Sequence, residues 1–340
     1  MAATTVRRTR RTRRAPARAA FRSCGALLAL LVLLLAARAA GLDAGTVLAV
    51  PMVLFPYASV LSALVLVAVL CVRALRGSRL LVAAAVLITA GYAVPLAPRF
   101  VPDGPDAPAD APVLRVATLN THVGAAEAAA VVRLVRDERV DVLALQELTA
   151  PGIAALKAAG LDAVLPHHEL HPENDSSLYS RLPLTGGGPL RADTAWPQTT
   201  ARVAVGGRSV RLVAVHTYYP LGDAGRWTRD MAALASTARS SGPDTVFLGD
   251  FNASLDHAPM RDLLSTGRLA DAHADLGRAW ARTWPAGKGP LPPLVQLDHV
   301  LHGPGLATAS VSERTVPGTD HRAVVAALAL LPVEPHENQG

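Results

Sequence analysis

Cysteine is nearly absent: Cys24 and Cys71 are the only two in 340 residues, and both lie in apolar runs near the start. A disulfide-stapled scaffold, and a thiolate zinc site in the later part of the chain, are thereby excluded. Acidic residues are as scarce in the first 99 positions, where Asp43 stands alone against 13 Arg and no Lys. Residues 100–340 have the opposite balance, 20 Lys plus Arg against 26 Asp plus Glu, so the formal charge of +6 divides into +12 and −6. With 51% apolar residues and a mean hydropathy of +0.29, neither a disordered chain nor a simple soluble enzyme fits the composition.

A helix rises 1.5 Å per residue, so about 20 apolar residues span a bilayer's hydrocarbon layer. Three runs qualify: 24–42, broken only by Arg38, whose long side chain is expected to snorkel to the headgroups; 46–72, which holds 27 residues without a charge; and 80–98. Pro51 and Pro56 predict that the second helix is kinked or starts late. A pair of buried soluble helices is the alternative, but no polar stripe marks a water-facing side. Eight arginines precede the first run and Arg73, Arg76 and Arg79 fill the second loop, so the positive-inside rule places both in the cytoplasm. Such a bias before a membrane span reads as a topology signal more readily than as a nucleic-acid arm. Three crossings then put everything after Pro98 outside. If Ala37-Arg38-Ala39 is instead a signal-peptidase site, two helices still return the chain to the outer face. The expected organisation is an Arg-rich cytoplasmic start (1–22), a transmembrane region (23–98), a Pro-rich semi-extended linker (99–112), one catalytic-sized domain (113–332) and a tail (333–340).

From Val113 onward, short apolar runs alternate with amphipathic stretches, as in a layered α/β domain. Strands are expected at 113–120, 140–148, 210–219, 244–252 and 295–302, and helices at 125–137, 151–159, 225–240 and 258–266. Gly206-Gly207 reads as a hairpin turn, which makes part of the sheet antiparallel. Polar residues gather at strand ends: Asn120, Glu147, His216, Asp250 with Asn252, and Asp298 each follow an apolar run, and Asp320-His321 precedes another. Any one of these reads equally well as a turn former or a satisfied polar residue; as a set they mark one rim of a sheet.

In the order LN (Asn120), LQEL (Glu147), VHTY (His216), GDFN (Asp250, Asn252), LDHV (Asp298) and TDH (Asp320, His321), these segments resemble the endonuclease/exonuclease/phosphatase superfamily over residues 113–332. The resemblance implies a four-layer α/β sandwich, two mixed sheets flanked by helices, and a Mg²⁺- or Mn²⁺-dependent phosphoesterase. The arrangement after membrane helices is similar to a bacterial membrane-anchored branch of that superfamily. Two departures bear on substrate. His122 stands where related abasic-site endonucleases carry Asp, and QLDHVL replaces the Cys-Asp-Arg segment of the inositol phosphatases.

On this reading Asn120, Glu147 and Asp320 hold the metal, and His216, Asp250, Asn252, Asp298 and His321 are catalytic. His321, with an ordinary imidazole pKa, would be the general base and Asp298 would orient it. Asp250 would align water or protonate the leaving group, and Asn252 and His216 would donate hydrogen bonds to phosphate. A second His cluster (His167, His168, His171) is expected to be a plain loop feature rather than a metal site. Asn174, Ser176 and Tyr179 are placed near the rim, and Thr283-Trp284 near the substrate pocket or in packing.

The expected substrate is a phosphate ester, whether nucleic acid, phospholipid or small phosphodiester; the other expected partner is the lipid bilayer, with no protein partner. The expected place is the cell membrane, multi-pass, with the catalytic domain extracytoplasmic. Two other readings stand beside it: an inactive membrane scaffold, which the intact residue set disfavours, and a cytoplasmic DNA-repair nuclease, which the topology disfavours. A domain charge of −6 lacks the broad basic footprint that DNA binding leans on.

Overall fold

The computed structural model describes residues 3–72, 77–172, 175–278, 280–287 and 292–332. The N-terminal part is helical: α1 (Ala3–Ala39), a short α2 (Ala49–Met52), α3 (Phe55–Cys71) and α4 (Arg79–Leu96). Among the described residues, two stretches are long and apolar enough to cross a membrane, Ala19–Ala39 and Arg79–Phe100. The second apolar run gives a shorter helix than its 27 uncharged residues suggest: α3 starts at Phe55, with Pro56 in its first turn, and has 17 residues. The helices share an apolar cluster around Leu31, Phe55, Ala85 and Tyr92. Tyr92 donates to Leu31 O (2.9 Å) and its ring lies 4.7 Å from that of Phe55. Away from this cluster the helices expose Leu30, Leu33, Leu64, Leu87 and Val94.

Beyond the Pro-rich segment the described residues form twelve strands in two six-stranded sheets. The first, in the order β11 (Leu306–Thr315), β12 (Arg322–Leu330), β1 (Val113–Asn120), β2 (Val142–Gln146), β4 (Ser176–Ser180), β3 (His167–Glu169), packs on the second. The second has the order β5 (Thr185–Pro189), β6 (Thr199–Val205), β7 (Arg208–His216), β8 (Thr245–Asp250), β10 (Asp298–His302), β9 (Ala270–Asp271). Among the described residues, only β1/β2 and β7/β8 pair in parallel. The core between the sheets is aliphatic, with Val116, Ala144, Leu212, Leu248, Val300 and Val324 buried. Helices α5 (Ala128–Asp137) and α6 (Ala150–Ala158) cover the outer face of the first sheet. Helices α7 (Pro220–Arg239) and α8 (Ala258–Gly267) cover the second through Trp227, Met231 and Leu263; a one-turn α9 (Ala272–Asp275) follows β9. These are the two mixed sheets flanked by helices that the sequence resemblance implies.

The linker is less free than its composition suggests. Asp103 N and Gly104 N both donate to Asp275 O (3.2 Å each), so the segment is held against the domain although it forms neither helix nor strand there. Arg38, expected to snorkel, instead pairs with Asp256 (Nε–Oδ1 2.9 Å) and lies over the Phe55 ring at 4.8 Å.

Candidate active site

Parallel pairing brings the ends of β1 and β2 together and those of β7 and β8 together, with His216 beside Asp250 in the register. The strand around Asp298 begins at that residue rather than running from 295, and it is antiparallel to β8, with Asp298 opposite Asp250. Asp320 and His321 likewise precede β12, which is antiparallel to β1. The rim is thus built from the ends of four strands and the beginnings of two.

At its centre is Asp250 Oδ2, which accepts from Asn120 Nδ2 (3.1 Å) and lies 3.7 Å from His321 Nε2 and 3.8 Å from His216 Nε2. Asn120 Nδ2 also donates to Glu147 Oε1 (2.9 Å), and Glu147 Oε2 accepts from Val123 N (2.8 Å). Asp298 Oδ2 accepts from His321 Nδ1 (2.9 Å), while Thr283 Oγ1 accepts from the backbone N–H of Leu297 and Asp298. Asn252 turns back to the strand: its N–H donates to Asp250 Oδ1 (2.8 Å) and its Nδ2 to Thr217 O (3.1 Å). Asp320 Oδ1 lies 3.1 Å from His122 Nδ1. All eight expected residues therefore fall in one neighbourhood. Among the described residues, the ligand atoms of Asp250, Asp298 and His321 lie within 4.8 Å of one another. Glu147 and Asp320 line the same cavity without joining that group.

Burial and charge set the protonation. Burial alone would push the His321 imidazole down, but the charges of Asp298, Asp250 and Asp320 and the Asp298 hydrogen bond outweigh it and hold the pKa at about 10. The carboxylates thus favour the protonated imidazole over the neutral one expected of an ordinary histidine. His216, also resisted by burial, is raised through its Asp175 hydrogen bond (2.8 Å) and the charges of Asp250, Asp175 and Glu147. Burial raises Asp250, with Asp298 adding to it, against the opposing charges of His321 and His216.

Sequence reasoning missed the residues that orient the site. Asp175 holds His216 Nδ1; Gln198 brackets the His216 backbone, donating to its O (2.9 Å) and accepting from its N–H (2.6 Å); and Trp196 stacks on its ring at 4.9 Å. Backbone strain was a further marker not readable beforehand. His122, Val123, Glu147, Asp175 and Asn252 all have φ between 48° and 63°, a conformation costly for non-glycine residues that concentrates at functional sites. Gly249 permits the close strand approach: a Cβ there would meet Val215 O at 1.9 Å.

Other expectations resolve individually. His167 and His168 are neighbours on the edge strand β3 and so point to opposite faces. His171 lies 3.6 Å from Glu169, and among the described residues this trio forms no ligand cluster. Ser176 and Tyr179 are buried in β4, Ser176 beside Asp175 and paired with Gln146 at the rim end of β2, and Asn174 lies outside the described residues. Trp284 lines the cavity, whereas buried Thr283 positions Asp298.

A two-sheet sandwich carrying this set of carboxylates, amides and imidazoles on one rim defines a phosphoester-hydrolysing enzyme. The chain belongs to the Endonuclease/Exonuclease/phosphatase family, which matches residues 117–321. No curated protein matches it. Among solved structures it is similar to D. rerio TDP2 complexed with single strand DNA product, at 15% identity and a TM-score of 0.50, over 64% of this chain and 98% of that one. It is also similar to a functionally unknown conserved protein from Enterococcus faecalis V583, at 14% identity and a TM-score of 0.50, over 64% and 100%. At these identities the likeness concerns the fold.

Proposed function

We propose that the chain is a membrane-anchored, divalent-cation-dependent phosphoester hydrolase whose catalytic domain lies on the outer face of the cell membrane. The observation that carries the cation requirement is electrostatic. The site gathers Glu147, Asp175, Asp250, Asp298 and Asp320, and among the described residues no Lys or Arg lines its cavity. A phosphate anion would enter this field only if a cation offset it. The donors suit a hard ion: they are oxygens, and buried Asp298 Oδ1 has no hydrogen-bond partner. Glu147, Asn120 and Asp320 would hold the ion, which would supply charge neutralisation at the phosphoryl oxygens.

The residues then divide the remaining work. Asp250, where the side chains converge, takes the proton of the attacking water. His321, held by Asp298, carries a proton for the departing alkoxide. His216 and Asn252 donate hydrogen bonds to the non-bridging oxygens. Assayed on ethyl 4-nitrophenyl phosphate, the purified full-length protein is expected to lose activity in excess EDTA and regain it with Mg²⁺ or Mn²⁺. Undiminished hydrolysis in EDTA would overturn the cation requirement.

Topology rests on the arginine bias and on geometry. The 40–54 segment and the chain after α4 both touch the domain: Ala258 N donates to Asp43 Oδ2 (2.7 Å), and Arg99 pairs with Asp256. Both contacts support a common side for the two exits, as three crossings require. A cysteine introduced at exposed Ser240, in a background lacking Cys24 and Cys71, is expected to react in intact cells with a membrane-impermeant maleimide. Labelling only after permeabilisation would reverse the orientation.

A further inference from the structure

Resting on that membrane-bound phosphoesterase reading, we propose that the substrate is a lipid phosphoester, and that the segment between the first two membrane helices is part of its binding site. The cavity above the catalytic residues holds ≈ 730 Å³. Its floor is polar, with Glu147, His216, Asp250, Asn252 and His321, but its walls are apolar. One wall is Ala49, Val50, Val53 and Leu54, from the segment that follows α1; the other includes Val123, Tyr219, Leu221 and Trp284.

These walls stand open to the surroundings. Val50 is 39% exposed, Leu54 47%, Val123 68% and Leu221 78%, a concentration of apolar surface around one mouth that marks a binding site rather than scattered exposure. The first wall is also fixed. His257 Nε2 donates to Ala49 O (2.8 Å) and Tyr57 OH to Leu294 O (2.6 Å), so the segment is tied to the domain on both sides of Val50–Leu54. The same segment joins two apolar helices, and its position at their ends places the mouth where those helices leave the bilayer.

Charge selects among phosphoesters. A nucleic acid is held chiefly through Lys and Arg contacts to successive phosphates, and among the described residues neither lines this cavity. A single phosphoester with an aliphatic chain fits both halves: its headgroup reaches the carboxylate–imidazole floor, and the chain runs over Val50, Val53 and Leu54 toward the membrane.

The test compares two probes with the same scissile bond, hexadecyl and ethyl 4-nitrophenyl phosphate, using full-length protein in mixed micelles with Mg²⁺. The hexadecyl ester is expected to have a kcat/KM at least about 100-fold higher, which burial of about four methylenes would supply. Val50→Ser/Val53→Ser/Leu54→Ser is expected to collapse that ratio to below about fivefold. Leu54→Ser alone lowers it partway, should the triple variant not fold. Val47→Ser, on the same segment but outside the cavity, keeps the full ratio and controls for partition into micelles. Equal kcat/KM for the two esters, an unchanged ratio in both wall variants, or faster cleavage of a single-stranded oligonucleotide than of the hexadecyl ester would each overturn the lipid assignment while leaving the phosphoesterase reading intact. Hydrolysis of none of the three substrates would sink that reading, and the assignment with it.

Discussion

Asp250→Asn lowers turnover by at least about 10²-fold with a melting temperature close to that of the parent protein. A positioned proton acceptor contributes about 10² to 10⁴ in rate, and Asp250 is the side chain to which Asn120, His216 and His321 all converge. The amide keeps the carboxylate's shape and still accepts from Asn252 N through its oxygen, so the turn after β8 is retained. What disappears is the basic oxygen facing the cavity and the negative charge that helps keep His216 and His321 protonated. Both losses act on the reaction; Asn120 Nδ2 gives up one acceptor but keeps Glu147 Oε1. The measurement is kcat on ethyl 4-nitrophenyl phosphate beside a thermal melt. Turnover within a few-fold of the parent would show that Asp250 moves no proton, and an equal loss of melting temperature would show a folding defect instead.

Much of the candidate rim was legible because its residues stand at or next to strand ends. An apolar run that ends in Asn120, Glu147, His216 or Asp250 announces both the strand and the end that carries the polar group, and β1 was read to its boundaries, Val113–Asn120. Where the cue was weaker the reading slipped. The run before Asp298 is apolar but not strand, since Leu294 and Val295 turn back to bond Trp284. Strands β3, β5 and β9 are two to five residues long, and β5 is largely glycine, so no periodicity marks them. The residues that hold His216 could not be read at all: Asp175 is 41 residues away and reaches it only where the two sheets pack, and Gln198, 18 away, reaches it across the β6/β7 pair. Arg38 is the instructive error. Its place near the end of an apolar run justified snorkelling, but its partner Asp256 is 218 residues away, and only the folded domain presents that carboxylate.

That partner is the basis of the second large effect, expected on stability. Asp256 is buried at 1% exposure and accepts from Arg38 Nε (2.9 Å) and from Arg99 Nη1 (3.2 Å) and Nη2 (2.9 Å). One carboxylate therefore ties the end of α1 and the exit from α4 to the loop between β8 and α8. Asp256→Ala leaves two guanidinium groups, at 12% and 16% exposure, with no anion between them. Removing one partner from a buried ion pair costs about 3–5 kcal/mol, and at roughly 2–4 °C per kcal/mol for a domain of this size the melting temperature is expected to fall by about 10 °C. The loss is one of pairing and not of the carboxylate itself. Replacing all three, Asp256→Leu with Arg38→Met and Arg99→Met, is therefore expected to recover most of the stability, because a buried ionic cluster is often matched by apolar residues of similar volume. The check is a thermal melt of the full-length protein in detergent for the single and triple variants. A shift of less than about 2 °C in Asp256→Ala would mean that the arginines find water or other acceptors, and that contacts such as those of Asp43, His257, Tyr57 and Arg261 suffice to hold the domain to the N-terminal helices.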